Sequence, residues 1–145
     1  MDNYEYVLRM YERYRIPVVM GVEDMNSAYV FYEEKQVGNI SSVRVEVGKD
    51  IEHKEAALLH ELGHIKHPMG LSGEEFDALT RELAANTWAI KNIHPSSDKN
   101  EILYHLSAWV QTYMDDGYIY AQDTPELRGT AKTLGIDHMI HWYFP

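Results

Sequence analysis

Apolar and polar positions at the start of the chain follow a helical period. Between residues 3 and 15, aromatic and aliphatic side chains recur at the spacing that places them on one face of an amphipathic helix. Because proline lacks the backbone N–H that a helix needs, Pro17 ends this segment. The sequence therefore predicts an N-terminal helix with one face against a core.

Three short segments after this helix have the composition or the alternation of β-strands. Residues 16–22 and 28–33 are rich in β-branched and aromatic side chains, and residues 40–47 alternate valine with polar residues. A Gly-Asn pair at 38–39 marks a turn before the last segment. Because such alternation is typical of antiparallel sheets with one buried face, we predict a short antiparallel three-stranded sheet.

Helical patterns return in the remainder of the chain. The predicted helices cover residues 51–67, 73–92, 98–114 and 125–135. Asp50 is a candidate N-cap for the first helix, and Ser72 with Glu75 forms a capping-box pattern before the second. Thr124 precedes a proline at the start of the fourth. One α+β domain over residues 1–145 is predicted, with the sheet packed against the first of these helices and a helical C-terminal half.

Composition restricts the functions that this domain can serve. The formal net charge of −10 disfavours nucleic acid as a direct partner. The chain has no cysteine, so a metal site would have to use histidine and carboxylate ligands. The N-terminus lacks the pattern of a signal peptide, and no apolar stretch has the length of a membrane span. We therefore expect a cytoplasmic protein that does not bind membranes.

Residues 60–64 read His-Glu-Leu-Gly-His, an H-E-x-x-H motif within a predicted helix. Residues four apart lie on one face of a helix, so His60 and His64 can bind one zinc ion. Glu61 is rotated by about 100° from His60 and lies beside the metal, where it can accept a proton from the attacking water. The motif predicts a catalytic zinc site with Glu61 as the general base.

Two further histidines lie close to the motif in sequence. Seven helical residues rise by about 10.5 Å, so His53 cannot readily share one ion with both motif histidines. We assign His53 to the surface. We assign His67 to the end of the helix, where a cation offsets the carbonyl dipoles.

A catalytic zinc ion needs a third protein ligand and an open position. Glu82 lies on the next predicted helix, which a loop containing proline and glycine lets fold back against the first. Asn86 follows on the same helical face, where it can hydrogen-bond a ligand imidazole. The competing carboxylates are those of Glu74, Glu75 and Asp77, at the start of the same helix.

Two stretches of the chain resemble signatures of the ImmA/IrrE family of zinc metallopeptidases. One is the motif at residues 60–64, and the other runs Glu-Leu-Ala-Ala-Asn-Thr-Trp-Ala over residues 82–89 and closes with Ile-His-Pro at 93–95. Residues 130–143 are also similar to the family's helix-turn-helix-like C-terminal segment. The resemblance implies that Glu82 is the third metal ligand. It also implies a gluzincin-type endopeptidase that cleaves a repressor-like transcriptional regulator, often of phage or mobile-element origin.

Two points stay open at this stage. The alternative function is that of a metal-containing binding module, which regulates a partner by docking without proteolysis. An additional donor to the oxyanion of the reaction is also undecided, and the candidates are Tyr104, His105, Tyr113 and Tyr118. In either case, residues 1–50 supply the first helix and the sheet, residues 51–95 the metal-binding helices, and residues 96–145 the C-terminal helices.

Overall fold

The computed structural model describes residues 3–36, 39–71 and 76–144. The helices are α1 Glu5–Arg13, α2 Lys54–Lys66, α3 Ala78–Lys91, α4 Lys99–Asp115 and α5 Pro125–Thr133. The strands are β1 Val18–Val22, β2 Ala28–Gln36, β3 Asn39–Gly48, β4 Tyr120–Gln122 and β5 His141–Tyr143, and Asp137–Met139 form a 3₁₀ turn. The predicted α+β class, with a small sheet and a helical C-terminal half, is confirmed.

The sheet is mixed, so the prediction of an entirely antiparallel sheet is wrong for one pair. The strand order is β1-β3-β2, with β2 antiparallel and β1 parallel to β3. The connection between β1 and β2 crosses the end of β3, where a Cβ at Gly48 would collide with the carbonyl of Met25. Because β1 and β2 run in opposite directions on either side of β3, one of them must be parallel to it. The predicted turn at 38–39 falls partly on Gly38, which lies outside the described residues.

Helix α2 lies in the centre of the fold. Residues 55–63 are all buried, because α1, α3, α4 and two strands pack around the helix. Leu58, Leu59 and Leu62 are fully buried, and burial of each contributes about 1.5–3 kcal/mol to folding. The motif at residues 60–64 is therefore carried by a rigid element within the main core.

The start of α2 differs from the prediction. His53, not Asp50, is the N-cap, and its Nδ1 accepts a hydrogen bond of 3.2 Å from the backbone N–H of Ala56. His53 is buried against the ring of His105, so the predicted surface role is wrong. Asp50 lies in the turn that follows β3, too early in the chain to reach the first helical N–H groups. His67 is the C-cap, as predicted.

Helix α3 begins at Ala78, later than the predicted start at residue 73. Its N-cap is Asp77, while the predicted capping box of Ser72 and Glu75 lies outside the described residues. The predicted cap at Thr124 is confirmed, because its hydroxyl accepts from the backbone N–H of Leu127. None of the helices in the described part of the chain is long and apolar enough to cross a membrane.

The C-terminal segment forms two strands that the sequence did not predict. Strands β4 and β5 pair in parallel, so the helix-turn-helix-like segment ends in a 3₁₀ turn and a strand, not in a second helix. The segment also packs on α3, through hydrogen bonds of Thr130 with Thr87 and of the Tyr143 hydroxyl with Asp77. The end of the chain thereby supports the helix that carries Glu82.

A glycine allows α2 and α3 to approach each other closely. A Cβ at Gly63 would collide with the backbone carbonyl of Ala85 on α3. The close approach of these two backbones brings the side chains of both helices within reach of one another. Gly63 of the His-Glu-Leu-Gly-His motif therefore has a packing function, which the motif itself does not indicate.

Replacing Gly63 by alanine is expected to destabilise the protein. The better helix propensity of alanine would contribute about 1 kcal/mol, but forcing the helices apart in a packed core costs about 1–3 kcal/mol or more. The control is Gly129→Ala in α5, where no heavy atom lies within 4 Å of the Cβ position. That change should stabilise the protein by roughly 0.5–1 kcal/mol. Urea unfolding of both variants measures the difference, and equal effects would contradict the close approach.

Candidate metal centre

Three side chains from two helices converge between α2 and α3. His60 and His64 come from successive turns of α2, and Glu82 comes from α3. The Nε2 atoms of the two histidines are 3.1 Å apart. A carboxylate oxygen of Glu82 lies 3.4 Å from Nε2 of His60 and 2.5 Å from Nε2 of His64. The structure thus brings together the three residues that the sequence proposed as ligands.

The donor set and its spacing fit a zinc site. Ligands at ~2.0–2.1 Å in a tetrahedron are about 3.3–3.4 Å apart, close to two of the three separations observed here. The third separation is that of a direct hydrogen bond between the carboxylate and an imidazole. Two imidazole nitrogens and one carboxylate oxygen are donors that zinc accepts, and three such ligands leave one position of a tetrahedron open. Within the described residues, this is a group that could hold a metal ion.

The remaining ring nitrogens of both histidines are held by hydrogen bonds. Nδ1 of His60 lies 2.6 Å from Oδ1 of Asn86, and Nδ1 of His64 lies 3.0 Å from the carbonyl oxygen of Gly70. Both partners are acceptors, so each Nδ1 carries the proton and donates it. Each Nε2 is then the ring nitrogen that faces Glu82, and it is the atom that would ligate a metal after giving up its proton.

The contact of His64 with Gly70 was not foreseen from the sequence. The turn after α2 brings the Gly70 carbonyl back to the helix, and a Cβ at Gly70 would collide with the backbone of His64. The Pro-Met-Gly run at 68–70 signals a turn, but it does not indicate which carbonyl returns to the imidazole. The contact with Asn86 is the one that the sequence predicted.

The charges of the three converging side chains depend on one another. Burial opposes ionisation of His60, but the nearby carboxylate of Glu82, with a smaller effect from Glu61, raises the pKa of His60 to about 9. Burial likewise acts to raise the pKa of Glu82, yet His60 and His64 hold it well below its usual value. The cluster is therefore built to keep a carboxylate ionised inside the protein.

Glu61 lies beside this cluster and faces the same cleft. Burial raises the pKa of Glu61, and the charge of Glu82 adds to this, while His60 and His64 act in the opposite direction. A carboxylate with a raised pKa is a stronger base than an exposed glutamate. The position and environment of Glu61 suit it to transfer a proton at this site.

The structure separates the four candidates for an oxyanion donor. Tyr113 on α4 lines the cleft together with Glu61 and Glu82. Burial raises the pKa of the Tyr113 phenol, as does the negative charge of Glu82. Tyr104 lines a different cavity, and His105 packs between His53 and Trp109. The ring of Tyr118 packs against that of Tyr113.

Removing the amide of Asn86 is expected to weaken metal binding moderately. Loss of a hydrogen bond that orients a ligand typically reduces metal affinity by ~10–100-fold. Asn86→Ala should fall in this range, because His60 would lose the acceptor that fixes its tautomer. Competition with a chelator measures the effect, with Asn92→Ala at the C-cap of α3 as the control. An unchanged affinity in Asn86→Ala would show that the hydrogen bond does not orient the ring.

One of the three competing carboxylates, that of Asp77, has hydrogen-bond partners at the start of α3. The carboxylate of Asp77 accepts hydrogen bonds from Tyr143 and Thr80 at the start of α3, while Glu74 and Glu75 lie outside the described residues. His67 contacts Glu126 at 2.7 Å, away from the cluster.

Comparisons with models of protein families, with curated proteins and with solved structures find no match to this chain. The interpretation of the site therefore depends on its own geometry.

Proposed function

We propose that this protein is a zinc-dependent metalloendopeptidase of the gluzincin type, similar to the ImmA/IrrE family. The observation that carries the proposal is the convergence of His60, His64 and Glu82, with Glu61 facing the same cleft. A structural metal site would be closed by four protein ligands, whereas this group provides three. Zinc bound there would polarise the scissile carbonyl and lower the pKa of water towards ~7.

The residues of the chain would share the remaining steps of hydrolysis. Glu61 accepts a proton from the attacking water and then passes it to the nitrogen of the leaving amine. The phenol of Tyr113 keeps its proton because its pKa is raised, so it can donate a hydrogen bond to the developing oxyanion. Asn86 and the Gly70 carbonyl hold the two imidazoles in the tautomer that binds the metal.

The proposed substrate is a transcriptional regulator of the repressor type, cleaved at one or a few positions in the cytoplasm. The resemblance of residues 60–64 and 82–95 to the family signatures supports this choice. Selection of a folded or partly folded partner fits the cleft, because β2 borders it and an extended segment can pair with a strand edge by backbone hydrogen bonds. Generic unfolded proteins such as casein should be poor substrates.

The test combines metal analysis with cleavage assays. Elemental analysis should find about one zinc ion per chain in the purified protein and much less in His60→Ala. The zinc-loaded protein should cut members of a quenched fluorescent peptide library, and a chelator should stop it. Zinc binding without any cleavage would favour the alternative of a docking module. Absence of zinc binding would refute the proposal altogether.

A further inference from the structure

The C-terminal ends of the two helices that carry the proposed metal ligands meet at one carboxylate. Glu126, in the first turn of α5, contacts Nε2 of His67 at 2.7 Å through one oxygen and Nζ of Lys91 at 2.9 Å through the other. His67 is the C-cap of α2, and Lys91 is the last residue of α3. Glu126 therefore connects α5 with the ends of both helices.

The two contacts of Glu126 differ in exposure. The side chain of Lys91 is 64% exposed, whereas that of His67 is 11% exposed. An ion pair between exposed side chains contributes little, because solvent screens it and both side chains lose mobility. The hydrogen bond from His67, followed by that from Lys91, lowers the pKa of Glu126. The contact with the largely buried ring of His67 is therefore the one that constrains the structure.

His67 uses both of its ring nitrogens. Nδ1 lies 3.1 Å from the backbone nitrogen of Met69, which can only donate, so Nδ1 is the acceptor. The ring proton is then on Nε2, which donates it to Glu126. A neutral imidazole meets both requirements, so this arrangement does not need a charge on His67. His67 thus links α5 to the turn that follows α2, at residues 67–70.

This turn leads back to the metal centre. The backbone N–H of Gly70 donates to the carbonyl of His67 at 2.9 Å, and the carbonyl of Gly70 accepts from Nδ1 of His64 at 3.0 Å. Gly70 is buried, and a Cβ at this position would collide with the backbone of His64. A shift of the turn would therefore move the acceptor that orients the imidazole of His64.

We propose that Glu126 is a positioning residue for the metal centre. Through His67 it holds the turn at residues 67–70, so that the Gly70 carbonyl orients the ring of His64. Asn86 orients His60 directly from α3, whereas the acceptor for His64 belongs to a turn and needs a support of its own. This inference rests on the proposed zinc site and adds a residue of α5 that acts on a ligand through a series of hydrogen bonds.

The experiment measures the zinc affinity of the full chain by competition with a chelator. Glu126→Ala should weaken zinc binding by about three- to tenfold, less than the ~10–100-fold typical of a residue that bonds a ligand directly. Glu126→Gln keeps an oxygen that accepts from His67, so its affinity should remain within about twofold of the wild-type value. Lys91→Ala is the matched control, because it removes the other contact of Glu126 and leaves the link to His67 intact.

Two further measurements separate positioning from a contribution to stability alone. The visible absorption spectrum of the Co²⁺-substituted protein should change in Glu126→Ala but not in Lys91→Ala, because it reports the geometry of the ligands. His67→Ala should weaken zinc binding at least as much as Glu126→Ala. Adding Glu126→Ala to His67→Ala should cause no further loss, because both changes interrupt the same series of contacts. Urea unfolding of the metal-free proteins gives the stability of each variant.

The inference would be overturned, with the zinc site intact, by any of three results. These are an unchanged zinc affinity in Glu126→Ala, an equal loss in Lys91→Ala, or additive losses in the double variant. If the wild-type protein binds no zinc, both this inference and the proposed function are refuted.

Discussion

Glu61→Gln is expected to abolish peptide hydrolysis and to leave zinc binding intact. Glutamine has nearly the same shape as glutamate, but its amide cannot accept the proton of the attacking water. A general base typically contributes ~10²–10⁴-fold to the rate, and the loss should be at the upper end because proton transfer to the leaving amine fails as well. Single-turnover cleavage of a library peptide measures the effect, with zinc content determined on the same samples.

The environment of Glu61 also predicts what the substitution does to stability. Glu61 is buried, and burial raises its pKa, so its ionised form is costly in the folded protein. The neutral amide removes this cost, and thermal unfolding of the metal-free variant should occur at the same temperature or higher. Glu12→Gln on the exposed face of α1 is the control. Retained turnover would show that Glu61 is not the general base. Loss of zinc from a folded variant would show that Glu61 is a metal ligand.

The parts of the molecule that the sequence predicted are set by local rules. The i, i+4 spacing of His60 and His64 places both on one helix face whatever else the chain does. The cap at Thr124 is formed within a few residues, because its side chain accepts a hydrogen bond from the nearby backbone N–H of Leu127. Asn86 could be assigned to the same face as Glu82 for the same reason. These features need no knowledge of the rest of the fold.

The features that the sequence did not predict depend on contacts between distant segments. The parallel pairing of β1 with β3 is determined by the connection between β1 and β2, which crosses the end of β3 at Gly48. The alternation of valines in β3 indicates a buried face, but it does not indicate which strand lies beside β3. The pairing of β4 with β5 involves strands of three residues each, which are too short for a periodic signal. The sequence did not predict that His53 is buried, because its role as N-cap depends on where α2 begins.

The choice of Tyr113 among four candidates has the same origin. All four side chains lie on or just after α4, and their spacing in sequence does not decide which of them faces α2. The orientation of α4 against α2 and α3 brings Tyr113 and Trp109 to the cleft and turns Tyr104 towards another cavity. Helical periodicity identifies faces, but only packing identifies the neighbour of each face.

Removal of Glu82 should weaken zinc binding more than any other single change of a carboxylate in the chain. Glu82→Gln keeps the size of the side chain but removes the charge that faces His60 and His64 at 3.4 and 2.5 Å. The loss should exceed the ~10–100-fold that is typical for residues that only orient a ligand, and it should therefore exceed the loss in Asn86→Ala. Chelator competition at fixed pH gives the affinities.

The same change should destabilise the metal-free protein, because loss of one partner leaves buried imidazoles without their counter-charge. Circular dichroism therefore accompanies each affinity measurement, and Glu82→Asp, which keeps the charge on a shorter side chain, should recover part of the stability. Glu74→Gln and Glu75→Gln are the controls, since both were competing ligands on sequence grounds. If either control loses as much zinc as a folded Glu82→Gln, the third ligand is not Glu82, and the convergence between α2 and α3 would have to be an ion-paired core without a metal.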